Sequence, residues 1–353
     1  MRTRSEVQSR SKNRGSITTN VNKDGSGIAT DWTDGSDQTK AFLHRIMAKH
    51  DKGKIFLIFL SFALYIVMVA FNAGAGSGTF KGIFLQSVGN ISNKFDTEFT
   101  PAGWTFALNW NTIFIWQFLW FGYSLSGLCR RNENGWMYMK PDLLPIWFYI
   151  VWMLNNALNI GWLFLWDREY IIPALVFLAF IAFTNYCVLI ISYRALYING
   201  MWLQKSKKVD LWLIRIFVQN GIAIYATWTT IATLLNFAVV LTYSGDVSNA
   251  TSTTAALAIL ALELVLWFIL ENFAFDEYVR YTLTVYPVVI CALSGSLNKH
   301  FVSSDPGRNN IFLAVLLAVA CAAFLIRLIL VLWRHFKRPL YKSQVLTGPE
   351  NSY

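Results

Sequence analysis

The sequence predicts an all-α fold, a polytopic membrane helix bundle of about eight transmembrane helices. Three observations predict it. Of 353 residues, 55 % are hydrophobic and only 14 % are charged, with a mean hydropathy of +0.41, a balance unlike that of soluble domains. Apolar runs recur along the chain, each near the roughly 20 residues that a helix needs to cross the hydrocarbon layer. Basic residues cluster in alternate connections between those runs, which is the charge pattern of a multiply threaded chain.

The first run, about Lys54 to Ala75, follows a polar segment and serves as the insertion signal, because no short apolar core follows the initial basic residues. The second, Gly103 to Leu128, carries tryptophans and amides on an apolar background. The third, Leu143 to Trp166, repeats that character, and the fourth, Ile171 to Tyr197, is apolar throughout much of its length. The fifth, Leu211 to Thr242, again mixes Tyr, Trp, Thr and Asn into an apolar run. The sixth, Thr254 to Phe273, contains Glu263 and Glu271. In the seventh, Tyr278 to Leu297, the pair Tyr286-Pro287 predicts a kink, since proline removes a helix hydrogen bond. The eighth, Asn310 to Trp333, holds Arg327. Outside these runs, residues 1–50 are polar and rich in Ser, Thr, Asn and Gly, the composition of a disordered tail, and residues 335–353 form a second tail.

Lys and Arg near a membrane are held on the cytoplasmic side, so the chain is expected to start inside. That side then collects Arg45, Lys49, Lys52 and Lys54, then Arg130, Arg131 and Lys140, then Lys205, Lys207 and Lys208, and finally Arg334, Lys337 and Arg338. Both termini are thus placed in the cytoplasm. Two sequons, at Asn90 and Asn249, fall in loops that this orientation puts outside, which favours glycosylation and the plasma membrane or secretory pathway. The net charge of +10 follows from the same bias and needs no nucleic-acid partner. Cys129, Cys187, Cys291 and Cys321 lie in or at the ends of spans, so no disulfide framework is implied.

At about 100° per residue, the polar residues of three spans sort into stripes. In the second, Asn109, Trp116 and Trp120 share a sector of about 40°, which Phe106, Trp110, Ile113 and Gln117 widen to about 120°. In the third, Trp152, Asn155, Asn159, Trp162 and Trp166 fit within about 80°; in the fifth, Tyr225, Trp228, Thr229, Ala232 and Asn236 fit within about 100°. An unpaired amide in hydrocarbon costs several kcal/mol, so the asparagines should face protein or a cavity. Two readings compete. In one, the amides bond neighbouring helices while tryptophans fill gaps, with Trp104, Trp147 and Trp166 in interfacial belts. In the other, the stripes line a pocket for a lipophilic ligand.

Three motifs carry a resemblance: "PAGWTFALNW" (residues 101–110), "NIGW" (159–162) and "YATWTTIATLLN" (225–236). In order and spacing they resemble the tryptophan-rich sensory protein family, the TspO and translocator proteins. The resemblance covers residues 54–242 and implies a TspO-like five-helix membrane core, to which residues 254–334 add three C-terminal helices. It implies binding of a tetrapyrrole, a sterol or an aromatic molecule in a pocket closed by the loop between the first two helices, here about Gly76 to Thr100. The candidate ligand-binding residues are Asn109, Trp110, Trp116, Asn155, Asn159, Trp162, Tyr225, Trp228 and Asn236. Ala102 replaces a proline of the family's motif and the loop differs, so porphyrin breakdown is not carried over.

An ionisable residue deep in a span is normally paired, protonated or in contact with water. Glu263 lies near mid-membrane and Arg327 is its obvious partner, with a Glu271 to Arg327 pair as the alternative. Signatures of nucleotide binding, zinc peptidases, redox dithiols and serine hydrolases are missing from the sequence, and its four histidines lie outside the spans. The sequence therefore predicts no enzyme, no catalytic residues, no metal and no obligatory cofactor beyond a bound tetrapyrrole or sterol. It predicts a protein that binds, transports or senses a hydrophobic planar or sterol-like molecule, with the lipid bilayer and a second copy of the chain as further partners. The alternatives are a proton- or ion-coupled transporter or channel using Glu263 and Arg327, and a membrane receptor or scaffold.

Overall fold

The apolar runs fold as eight long helices in the computed structural model, which describes residues 49–301, 304 and 306–341. Most of the tail expected over residues 1–50, and residues 342–353 of the second tail, lie outside the described residues. Helix α1 spans Lys52–Ser77, α2 Gly103–Cys129, α3 Ile146–Asp167 and α4 Ile171–Ser206. Helix α5 spans Lys208–Tyr243, α6 Asn249–Ala274, α7 Val285–His300 and α8 Arg308–Lys337. A short helix, Val88–Lys94, lies in the loop between α1 and α2, and a two-residue hairpin pairs Arg131 with Trp136 after α2.

Seven of these helices are long and apolar enough to cross a membrane. The exception is α7, whose 16 residues reach about 24 Å at 1.5 Å per residue, short of a hydrocarbon layer of roughly 30 Å. The expected kink at Pro287 is absent for the same reason. Helix α7 begins at Val285, so Pro287 stands in the first turn, where a backbone N–H has no helical acceptor to lose.

Local chemistry sets several helix ends. The Asp51 carboxylate accepts from the Lys54 amide and caps α1, while Gly78 ends that helix in the left-handed region at φ 69°. Ser248 caps α6 in the same way by accepting from the Thr251 amide. Wide π-type turns occur at Ile214–Gln219 in α5 and Leu270–Ala274 in α6. In α5 the Asn220 amide enters the widened ladder, donating to the carbonyls of Arg215 and Tyr281, both at 2.8 Å, and accepting from Leu283 N at 2.9 Å.

Helix α5 forms the centre of the bundle, with α2, α4, α6 and α7 packed on it; α3 joins α4 to α1, and α8 covers α6 and α7. Two glycines permit close approach to α2. A Cβ at Gly221 of α5 would stand 2.4 Å from the Trp116 ring of α2, and one at Gly295 of α7 would stand 2.0 Å from Thr105 Oγ1 of α2. The last three helices therefore pack directly on the first five. Large apolar side chains such as Phe56, Phe59 and Ile66 on α1 and Leu325, Ile329 and Leu332 on α8 are exposed on the outside, where a multi-pass protein meets lipid.

The buried charges follow the alternative pairing. Arg327 and Glu271 are both fully buried, with Arg327 Nε 3.2 Å from Glu271 Oε2 in a contact too misaligned to be a hydrogen bond. Arg327 also donates to Asn272 Oδ1 at 2.9 Å and to the carbonyls of Val279 and Arg280 at 3.1 and 3.2 Å. Its guanidinium closes the carbonyl end of α6 and the short helix Asp276–Val279. The expected pairing with Glu263 is not made. Glu263 lies eight residues earlier on α6, a rise of about 12 Å toward the other end of the helix. It is half-buried, and its Oε2 has no partner among the described residues.

Candidate functional site

A cavity opens between α2, α3, α5 and the Val88–Lys94 helix, enclosing about 550 Å³ of atom-free space including its mouth. Phe106 and Trp110 of α2, Trp162 and Trp166 of α3, and Trp228 and Asn236 of α5 form its walls. Helical spacing places them there. Trp162 and Trp166 are one turn apart and stack at 5.8 Å, while Trp228 and Asn236 are two turns apart on one stripe of α5. Phe106 meets the Trp228 ring edge-on at 5.6 Å. Leu178 of α4 and Leu235 and Val239 of α5 complete the apolar lining. The walls are apolar and largely aromatic, suited to a flat apolar body.

Several polar atoms of the lining side chains are unsatisfied. Among the described residues, Trp162 Nε1, Trp166 Nε1, Trp228 Nε1 and Asn236 Oδ1 are buried without a hydrogen-bond partner. The Asn236 amide nitrogen is used within its own helix, donating to Ala232 O at 3.2 Å. Three donors and one acceptor thus belong to side chains that line a single cavity. Each such group costs roughly 1–3 kcal/mol while unpaired, a cost that a complementary ligand would remove.

The structure divides the nine candidate residues into two sets. Trp110, Trp162, Trp228 and Asn236 line the cavity. The other five brace helices. Trp116 donates to Ile216 O at 2.8 Å, and Asn109 donates to Thr105 O at 2.9 Å and lies 3.5 Å from Cys291 Sγ. Asn155 turns to α4, donating to Ile181 O at 3.0 Å and Thr184 Oγ1 at 2.8 Å. Asn159 joins Asn72 of α1 to Tyr225 of α5, and the Tyr225 ring stands behind Trp110 at 5.9 Å. Trp166, expected in an interfacial belt, is 3 % exposed and forms a wall, whereas Trp104 and Trp147 are 47 % and 66 % exposed. The signal for Trp166 was its position one turn beyond Trp162 on the same stripe.

The loop after α1 closes the cavity with Val88, Ser92, Phe95 and Thr100. One side of this lid is tied to the end of α3. Asp167 accepts from Leu85 N at 2.8 Å and Gln86 N at 3.0 Å, and Glu169 takes the side chains of Lys94 and Gln86. Lys94 first, and then Gln86, hold the Glu169 carboxyl below the usual carboxylate range. The other side is tied to α6, α7 and α8. Asn249 accepts from Glu98 N at 3.0 Å, Ser296 donates to Phe99 O at 2.7 Å, and Asn309 donates to Glu98 Oε2 at 2.6 Å. Lys299 pairs with Asp96 at 2.7 Å, and Ala102 N donates to Gly295 O at 3.0 Å. No group of three or more metal-ligating side chains occurs among the described residues.

A family profile described as "TSPO-like protein" matches residues 57–333, a range that runs beyond the expected five-helix core to near the end of α8. No curated protein and no solved structure matches the chain.

Proposed function

Because the chain belongs to the TSPO-like family, we propose that this multi-pass membrane protein binds a hydrophobic planar or sterol-like molecule in the cavity between α2, α3 and α5. Trp110, Trp162 and Trp228 supply stacking surface, and Trp166 adds a fourth aromatic wall. The observation that carries the reading is the set of unsatisfied polar atoms on the side chains that line an otherwise apolar cavity. It fits a ligand with oxygen acceptors on its rim, such as carbonyl or carboxylate groups, and one donor for Asn236. Asn109, Asn155, Asn159, Trp116 and Tyr225 act indirectly, by fixing the helices that carry the walls.

The activity in this reading is binding that serves transport or sensing, not catalysis, in keeping with the absence of catalytic motifs from the sequence. The buried Arg327 is committed to carbonyls and Glu271, which favours a structural brace over an ion-coupling pair with Glu263. Both termini are assigned to the cytoplasm by the basic residues, with residence in the plasma membrane or secretory pathway and self-association as accompanying proposals. Asn90 is exposed and is the better glycan acceptor; both amide atoms of Asn249 are engaged with the lid.

The test is titration of purified, folded protein with a porphyrin and with a sterol probe. Trp162→Ala and Trp228→Ala should each weaken one of the probes about tenfold or more, the scale of losing a well-packed aromatic contact with its hydrogen bond. Unchanged affinity for both probes in both variants would remove the cavity from consideration.

A further inference from the structure

A second pocket lies at the other end of the bundle, between the carboxyl-terminal part of α4, the wide turn of α5, segment 276–281 and Leu340-Tyr341 after α8. It contains a charge without a counter-charge. Arg215 is 5 % exposed, yet among the described residues no carboxylate comes within ion-pair distance of it. Its guanidinium instead rests among rings, 4.1 Å from the centre of Tyr281, 5.0 Å from Trp212 and 5.8 Å from Tyr341. Buried guanidinium groups are normally paired, so this arrangement points to an absent anion. Gln219, 2 % exposed and lining the same pocket, provides a second, independent sign: its amide nitrogen has no hydrogen-bond partner among the described residues. The π-type turn brings the two together, since a wider turn sets residues four apart nearly above one another.

The surrounding charges are already committed. Arg280, near enough to act on Arg215, is paired with Asp276 and donates to Arg338 O. Glu277, the carboxylate in the lining, lies beside Tyr197 and makes no ion pair with Arg215 among the described residues. Arg215 is left with the Tyr341 side chain beside it. The Tyr341 hydroxyl sits against α4 at Gly200, where a Cβ would come within 1.9 Å of it. Lys205, Lys207 and Lys208 lie at the same end of α4 and α5, and Arg334 and Lys337 at the same end of α8. This is a field that gathers anions.

We propose that the Arg215 pocket is an anion site for a phosphate monoester group, and that Tyr341 is its tethered competitor, the hydroxyl standing where a phosphate oxygen would bind. With Tyr341 in place the pocket is largely filled, so a phosphate group enters it only as the tyrosine withdraws. Arg215 and the Gln219 amide donate to the phosphate, and the tyrosine rings wall it from lipid.

The test uses the full chain in nanodiscs. Phosphatidylinositol 4-phosphate and inorganic phosphate are the two probes, and phosphatidylcholine is the blank. Tyr341→Ala should bind a phosphate probe about tenfold more tightly than the parent chain, because the competing state is gone. Arg215→Gln and Gln219→Leu, each combined with Tyr341→Ala, should lose about tenfold or more of that affinity. Competition by inorganic phosphate would identify a soluble monoester as sufficient, while binding of the lipid alone would identify a headgroup. If Arg215→Gln fails to fold, Gln219→Leu carries the test. Equal binding by parent and Tyr341→Ala, undiminished binding by the site variants, or no binding of either probe would overturn the proposal.

Discussion

The Asn159 amide donates to the Tyr225 hydroxyl at 3.0 Å, while its carbonyl oxygen accepts the Asn72 amide at 2.7 Å. One side chain of α3 therefore ties α1 to α5, and it does so directly behind the tryptophan wall. Replacing it with leucine takes a partner from the buried Tyr225 hydroxyl and breaks the interhelical bond of Asn72, whose amide still donates to Met68 O. Interhelical hydrogen bonds in membranes are modest individually, so Asn159→Leu should lose about 1–2 kcal/mol of stability, measured as reversible unfolding in mixed micelles. Tyr225→Phe removes one bond of the pair and should lose less.

Arg327 should be the more sensitive position. Arg327→Met leaves Glu271 buried without its counter-charge and frees several carbonyls, a change expected to cost about 3–5 kcal/mol. Glu263→Gln should leave stability nearly unchanged, and pH-driven uptake into proteoliposomes should show no dependence on Glu263. A selective loss of such uptake in Glu263→Gln would restore the ion-coupled reading.

The lid should respond to acid through Glu169. Its carboxyl is held below the unfolded value by Lys94 and Gln86, so the stabilisation is present above the unfolded pKa of about 4.3 and is lost as pH falls through the folded value. Amide exchange across residues 86–94 should accelerate below that range. Glu169→Gln should show the faster exchange already at neutral pH and no acid step.

Gly295→Ala should part α7 from the start of α2. The added methyl group would meet Thr105 Oγ1 at 2.0 Å and Pro101 Cβ at 3.1 Å, a clash on the order of 1–3 kcal/mol. It should also weaken probe binding in the cavity, because Gly295 O holds Ala102 N next to the lid. Thermal unfolding and probe titration on the same sample separate the two effects.

The bundle was legible because long apolar runs leave a membrane chain few alternatives to spanning helices. The limits of those runs misled at α7, where the helix starts at Val285 rather than near Tyr278, turning an expected kink at Pro287 into an ordinary first turn. For the site, periodicity gave the facing direction of each stripe but not the neighbour it would meet. Asn155 and Asn159 share a stripe with Trp162, yet one turns to α4 and the other bridges α1 and α5, while Trp162 reaches the cavity. Depth was equally hidden. The position of Trp166 at a span end suggested the interface, but the lid folds over that end and buries it. The unpartnered indoles had no sequence signal, since every tryptophan carries the same N–H.

The ties from α6, α7 and α8 to segment 96–102 have a kinetic consequence. Under the proposed binding, a molecule held between α2, α3 and α5 lies against the lid, so its residence time would depend on Asn249, Ser296, Lys299 and Asn309, none of which lines the cavity. A chain ended at Thr242 would keep the tryptophan walls and surrender the latch, exchanging slow release for fast.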